Sequence, residues 1–274
     1  MQYLHQGHAA YPVRLGHEWC GRVSSVADDV DRSWLGRRVT GDTMLGCGRC
    51  RRCLRGAQHV CQDRFEVGIR GGFAGALAEQ LAVPASALHP LPDRVDAVAG
   101  ALVEPGGNAL RAVHGAAVGA GDRLLVLGAG TIGALTAMIA AAQGVEVDVV
   151  DPSQRARAFA RELGLGGVWD VGALPDGPFD AVVDASTAAS SPARAVELVE
   201  PAGRVVLVGL AGSQSLVDSR LVALGDITVV GVLSASPGLS GTIDLYASGA
   251  VDPRPLVAAT VRLDDVAAVL GGWR

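Results

Sequence analysis

Leu124-Leu-Val-Leu-Gly128-Ala-Gly130-Thr131-Ile132-Gly133 decides the fold. An apolar run leads into Gly-x-Gly-x-x-Gly, and Ile132–Gln143 behind it has the length and alanine content of a helix. Such a triplet is weak evidence alone, but between a strand and a helix it is a dinucleotide-binding turn. Gly128 permits the tight turn. Gly130 lets the backbone approach a pyrophosphate at the helix N-terminus, with Thr131 and Ile132 beside it, and Gly133 lets the helix pack on the strand. The next strand, Val145–Val150, ends in Asp151, where a carboxylate binds the adenosine ribose hydroxyls and repels a 2′-phosphate. NAD is therefore expected over NADP, with Arg155 and Arg157 acting in the opposite sense. A generic strand–helix turn would also use glycines, but would not call for the acid.

Outward from that turn, apolar strands alternate with helical stretches. Arg123–Leu127, Val145–Val150, Phe179–Asp184, Arg204–Val208 and Ile227–Val232 read as strands. Ser153–Leu163, ended by Gly164, and Pro192–Leu198 read as helices. Alternation of this kind predicts a doubly wound parallel sheet of Rossmann type. Before about residue 105 the runs are short and broken by Gly, Pro and Asp. Gly21–Val26, Arg38–Thr40 and Leu77–Val83 read as strands of a β-rich module. The expected domains are 1–107, containing a cysteine lobe at 46–62, then 108–235, and a C-terminal segment 236–274 with one or two helices and a short strand, Ala259–Leu263.

The chain has 274 residues, of which 49% are hydrophobic and 19% charged, with a formal net charge of −5. That composition can bury sizeable cores, and the charge speaks against a nucleic-acid partner. No apolar run reaches the ~18 residues that would span a membrane, and the N-terminus does not resemble a signal peptide. Four clustered cysteines out of five suit a metal site in a reducing compartment. A cytoplasmic location is expected.

Cys47, Cys50, Cys53 and Cys61 form Cys-x2-Cys-x2-Cys-x7-Cys. Four thiolates complete a tetrahedral zinc and leave no open position, which marks a structural site. Free or redox-active thiols are one alternative. A nucleic-acid ribbon is another, suggested by Arg49, Arg51, Arg52 and Arg55, although the spacing is not the paired Cys-x2-Cys of a ribbon. A second metal site could draw on His17-Glu18, in Leu15-Gly-His-Glu-Trp-Cys-Gly21, and on Glu104-Pro105. Imidazole and carboxylate are apt zinc ligands, and a catalytic zinc takes three protein ligands plus an open position.

The order Gly-His-Glu, four-cysteine lobe, Gly71-Gly-Phe-Ala-Gly-Ala-Leu-Ala-Glu79, Val-Glu104-Pro and Gly-x-Gly-x-x-Gly resembles the zinc-containing medium-chain dehydrogenases over nearly the whole chain. Glu104-Pro105 resembles their sorbitol, threonine and polyol branch, where classical alcohol dehydrogenases have cysteine. The resemblance implies a GroES-like catalytic domain beside the Rossmann domain, with the active site in the cleft between them. His17 would ligate a catalytic zinc. Glu104 would do so directly or through water, and Glu18 would lie next to the metal. Val208–Leu210 and Val232–Ser234 would line the nicotinamide pocket. The implied activity is hydride transfer between NAD and a secondary alcohol of a polyol, sugar, cyclitol or amino alcohol. A homodimer or homotetramer is implied as well.

The family's third catalytic zinc ligand is a cysteine in a segment upstream of Met1, so the GroES-like domain is expected to be N-terminally incomplete. The catalytic zinc is then expected to be held poorly. The alternative function is a catalytically impaired NAD- and zinc-binding fragment or pseudoenzyme. An NADPH quinone reductase of the same fold fits less well, since those generally lack both zincs. Cys20 could stand in as a ligand or be a small buried residue. Trp19 could line a substrate pocket or serve packing. His5 and His8 are candidates for a proton relay or ordinary surface histidines, and His59, His89 and His114 stand in no chemical constellation.

Overall fold

The computed structural model describes residues 12–272, so His5 and His8 lie outside the described residues. The chain forms two compact units, Met1–Glu104 with Asp252–Arg274, and Pro105–Val251.

The second unit is built on a six-stranded sheet. Its strands are β6 (Arg123–Leu127), β7 (Glu146–Val150), β8 (Gly167–Trp169), β9 (Phe179–Asp184), β10 (Val199–Leu207) and β11 (Thr228–Gly231). Their order is β11-β10-β9-β6-β7-β8, and every pairing is parallel. The chain thus starts at the centre with β6, winds outward through β7 and β8, then returns to β9 and winds the other way. This is the doubly wound Rossmann order, whose ligand crevice lies where the winding reverses, here between β6 and β9. Leu124, Leu125 and Val126 of β6 and Ala181, Val182 and Val183 of β9 are fully buried. Central parallel strands are covered on both faces, so they read as unbroken apolar runs.

The helices follow from local chemistry. Helix α3 (Thr131–Ala142) buries Gly133 to Ala137, Ile139 and Ala140, and its small side chains let it lie close to the sheet. Helix α4 (Gln154–Glu162) starts at a cap where the Ser153 hydroxyl accepts from the Ala156 N–H, and its chain turns away at left-handed Gly164. On one face of the sheet Leu125, Leu127, Phe179, Val182 and Val205 pack with Ala195 and Val196 of α5 (Ser191–Leu198). Burying such a Leu, Val or Phe contributes about 1.5–3 kcal/mol each.

The first unit holds a three-stranded antiparallel sheet of β1 (Gly21–Arg22), β2 (Arg38–Gly41) and β5 (Leu88–Pro90), and a small pair, β3 (Met44–Leu45) with β4 (Phe65–Glu66). Two expected strands differ here. Leu77–Val83 forms no strand, because among the described residues its segment bonds only briefly, Gly75, Ala76 and Leu77 donating to Arg14, Gly16 and Leu15. Gly21–Val26 pairs as a strand only at Gly21–Arg22; one further exchange joins Val23 to Arg37 and Gly36 before the chain turns off. Ala259–Leu263 is likewise no strand, and its residues are exposed and run into a 3-10 turn at Leu263–Asp265.

Helices α1 (Ala97–Ala101) and α2 (Val103–Ala116) lie where the sequence suggested only a change of character. The division at Glu104/Pro105 falls inside α2, three residues before the expected 107/108 boundary. The second unit also runs on to Val251, taking in α7 (Leu239–Ser248), which the sequence assigned to a C-terminal segment beginning at 236. Packing explains this. A side chain on Gly106 of α2 would meet Tyr246 of α7, and one on Gly238 would meet the Gly107 backbone.

Candidate functional site

Three ligating side chains converge in the first unit. One ligand atom each from His17, Glu18 and Glu104 lie within 4.8 Å of one another. His17 Nε2 and Glu18 Oε1 are 4.0 Å apart. Thr43 fixes the backbone here by donating its hydroxyl to the His17 carbonyl at 3.1 Å, and Thr40 donates to the Trp19 carbonyl at 2.8 Å. Glu104 is buried in the first turn of α2, where a carboxylate also meets the positive end of the helix. Burial lowers the His17 pKa and raises that of Glu18. Both shifts penalise the charged form, as desolvation does, and a divalent cation would reverse the penalty on the carboxylate. An imidazole and two carboxylates in reach of one point suit a zinc with room for a further ligand.

The cysteine lobe is a separate cluster. Cys50 Sγ stands 3.6 Å from Cys53 Sγ and 3.8 Å from Cys61 Sγ, and Cys47 Sγ is 4.0 Å from Cys53 Sγ. A tetrahedron with Zn–S bonds of about 2.3 Å has edges of about 3.8 Å, so the four sulfurs fit the ion and form a structural zinc site. Left-handed turns at Gly48 and Gly56 let one short loop wrap them. The backbone N–H groups of Arg49 and Cys50 pull the Cys47 thiol down to about 6, which favours the thiolate that zinc needs. The lobe is tied to the sheet by Asp42, whose carboxylate accepts from Gln58 Nε2 at 3.2 Å and from the Met44 N–H at 2.9 Å.

Cys20 belongs to neither cluster and packs near Gly100. The Trp19 ring lies against Gly41, where a Cβ would come within 2.5 Å of Cζ2. Trp19 also lines a cavity of about 820 Å³ with Trp34, Val39, Leu81 and Leu88, but His17, Glu18 and Glu104 do not line it. Chemistry, not cavity size, locates the site.

In the second unit the glycine turn has the form a dinucleotide needs. Gly128 takes φ +101°, and a Cβ on Gly133 would lie 1.8 Å from the Gly128 carbonyl oxygen. A Cβ on Gly130 would meet nothing within 4 Å. Gly130 caps α3 with no side-chain hydrogen bond, so the N–H groups at Thr131 and Ile132 begin the helix without side-chain capping. Open space before an uncapped helix N-terminus suits a pyrophosphate. Asp151 follows β7, and its carboxylate accepts from the Ala129 N–H at 2.8 Å and the Ser153 N–H at 2.7 Å. Arg157 donates to the Asp151 and Pro152 carbonyls and pairs with Asp170 at 2.6 Å, so it staples this corner. Arg155 is exposed. Val208 follows β10, and Val232 follows β11, donating its N–H to the Leu207 carbonyl at 3.0 Å.

Sequence reasoning missed Thr40, Thr43 and Asp42. Each acts through a backbone or amide contact distant in sequence, and the only signal was polar residues inside an otherwise apolar strand region. Residues 1–93 match the family model for the alcohol dehydrogenase GroES-like domain, and residues 131–248 match the zinc-binding dehydrogenase model. The 2-dehydro-3-deoxy-L-galactonate 5-dehydrogenase of Pseudoalteromonas atlantica is 30% identical over 265 residues, covering 93% of this chain and 77% of that one. A structure described as a short chain alcohol dehydrogenase of Escherichia coli CFT073, complexed with NADH, superimposes with a TM-score of 0.92 at 25% identity, covering 98% of this chain and 82% of that one. A zinc-binding dehydrogenase structure from Sinorhizobium meliloti, bound to NADP, gives 0.91 at 27% identity, covering 99% and 83%.

Fold and site together define a zinc-dependent, dinucleotide-linked oxidoreductase. The chain belongs to the zinc-containing medium-chain dehydrogenases, with a GroES-like first domain and a Rossmann second domain.

Proposed function

We propose that the chain oxidises a secondary alcohol of a polyol, sugar, cyclitol or amino alcohol with NAD, using a zinc held by His17, Glu18 and Glu104. The observation that carries this reading is the convergence of those three ligand atoms within 4.8 Å. When bound, the zinc would lower the pKa of the substrate hydroxyl and NAD would accept the hydride.

The protein's own residues prepare both groups. Thr43 orients His17 through its carbonyl. Buried Glu104 offers a carboxylate where little water competes for it. Gly130 leaves room for the pyrophosphate, and Asp151 is held by two N–H groups beside the turn, where the ribose hydroxyls would bind. Val208 and Val232 supply apolar surface at the strand ends for the nicotinamide. Glu104 in the place of a cysteine supports the polyol branch, as does the relative named for a deoxygalactonate. The reading includes a cytoplasmic, homo-oligomeric protein. Among the described residues no helix is long and apolar enough to cross a membrane.

The test is NADH formation by the zinc-loaded chain across a panel of polyols, sugar acids and amino alcohols, with and without chelator. Chelator-sensitive turnover of at least one secondary alcohol is expected. NAD binding with no turnover of any would overturn the reading in favour of an impaired NAD- and zinc-binding module.

A further inference from the structure

Arg111 has an unusual set of partners. It lies half-buried on α2, and one guanidinium nitrogen, Nη1, donates to two successive backbone carbonyls, those of Leu233 and Ser234. It makes no ion pair with a carboxylate among the described residues, and burial lowers its pKa. A guanidinium desolvated to hold only carbonyls is costly unless those carbonyls must be held.

The carbonyls belong to the strap that leaves β11. Successive carbonyls of an extended chain point to opposite sides, so two of them reach one donor only if the residue between turns. Ser234 makes that turn, at φ +72°. A left-handed serine is strained backbone that its surroundings must hold. Here those surroundings are specific. The Ser234 hydroxyl accepts from the Ser236 N–H at 3.2 Å and lies 3.0 Å from the Ser236 hydroxyl. A Cβ on Gly107 would come within 2.8 Å of Ala235, so α2 also presses directly on the strap. Because each peptide is planar and trans, drawing both carbonyls toward Arg111 turns the N–H groups of Ser234 and Ala235 to the other side. A cation on the carbonyls also strengthens those amides as donors.

We infer that Arg111 is a positioning residue: it fixes the turn of the Val232–Ser236 strap so that the strap's backbone can hold the carboxamide end of NAD. This rests on the cofactor reading above, in which the strap lines the nicotinamide pocket. Arg111 does not touch the cofactor and acts through the strap alone. It sets how the nicotinamide end is held and leaves the adenosine and pyrophosphate end, served by the glycine turn and Asp151, unaffected.

The test compares NAD with ADP-ribose, which lacks only the nicotinamide, by calorimetry on the full chain. Arg111→Ala is expected to weaken NAD about tenfold or more, equivalent to about 1.4 kcal/mol, and to leave ADP-ribose within about twofold. Arg111→Lys, which keeps a charged donor, should restore NAD affinity to within about threefold of the wild type. Equal losses for the two ligands would show a merely structural role and overturn the inference, as would no loss for either. If Arg111→Ala does not fold, Arg111→Met keeps the apolar stem without the donor and is read by the same two outcomes. A wild-type chain that binds neither ligand would overturn the cofactor reading itself, and this inference with it.

Discussion

Gly130 and Gly133 stand three residues apart and are glycine for opposite reasons. A side chain on Gly133 would meet the Gly128 carbonyl at 1.8 Å, whereas one on Gly130 would meet nothing. Gly133→Ala should therefore strain the fold even without cofactor, by about 1–3 kcal/mol as overpacking usually costs, seen as a lower Tm. Gly130→Ala should leave the Tm of the free chain nearly unchanged and weaken NAD by filling space the pyrophosphate needs. A Tm drop equal to that of Gly133→Ala would contradict this. Asp151 is a third kind of position, a carboxylate already gripped by the Ala129 and Ser153 N–H groups. Its charge, fixed beside the glycine turn, is expected to repel a 2′-phosphate. Wild-type affinity for NAD should exceed that for NADP, and Asp151→Ala should shrink the ratio about tenfold, since hydrogen bonds to a charged group contribute about 1.5–3 kcal/mol. Tighter NADP binding by the wild type would refute it. The NADP-bound relative makes this a sharp test.

At the scale of elements, the two metal clusters differ in donor chemistry. The lobe offers four sulfurs at tetrahedral spacing, and the other cluster an imidazole and two carboxylates. Thiolates hold zinc more tightly than harder oxygen donors. Mild chelation should remove zinc from the His17 cluster first, with the Cys47–Cys61 loop still protected from protease. Stronger chelation should then open that loop. Two zincs that resist mild chelation equally would count against this. The same scale shows what the sequence could reveal. β6 and β9 were legible to the residue, because buried parallel strands are unbroken apolar runs. The cysteine lobe and glycine turn were legible because their spacing is local chemistry. Helices α1 and α2 were hidden behind Gly100, Pro105, Gly106 and Gly107. Those residues weaken a helix by propensity, but Pro105 sits in the tolerated first turn. The glycines are needed for close approach to Leu91, Tyr246 and Ala235. Leu77–Val83 misled in the other direction, because an apolar run cannot say how far a partner strand will accompany it. Arg111 carried no local signal at all, since its partners lie more than a hundred residues away.

At the scale of the whole molecule, the sheet of the second unit ends in two unlike edges. β8 is three residues long and closes on the Arg157–Asp170 pair beside it. β11 has four residues, of which only Val230 is half-buried, and Val229 is 42% exposed. Around it α6 (Ser219–Leu224) and the segments before and after expose Leu216, Val217, Leu221, Leu224 and Leu233, with Leu216 at 89% and Leu224 at 86%. An unpaired edge flanked by exposed apolar side chains is an aggregation hazard unless it is covered. A second copy of the same edge would cover it with closed two-fold symmetry, each β11 pairing antiparallel with the other and the leucines meeting across the axis. If the homo-oligomeric reading holds, this edge is its expected interface. Val229→Lys with Leu224→Glu should then shift the chain to monomer in sedimentation at micromolar concentration, while ADP-ribose affinity stays within about threefold, because the glycine turn lies at the sheet's centre. The equivalent pair at the other edge, Trp169→Lys with Val171→Glu, should leave the assembly intact. If that pair instead dissociates it, or if the wild type is monomeric, β11 is not the interface.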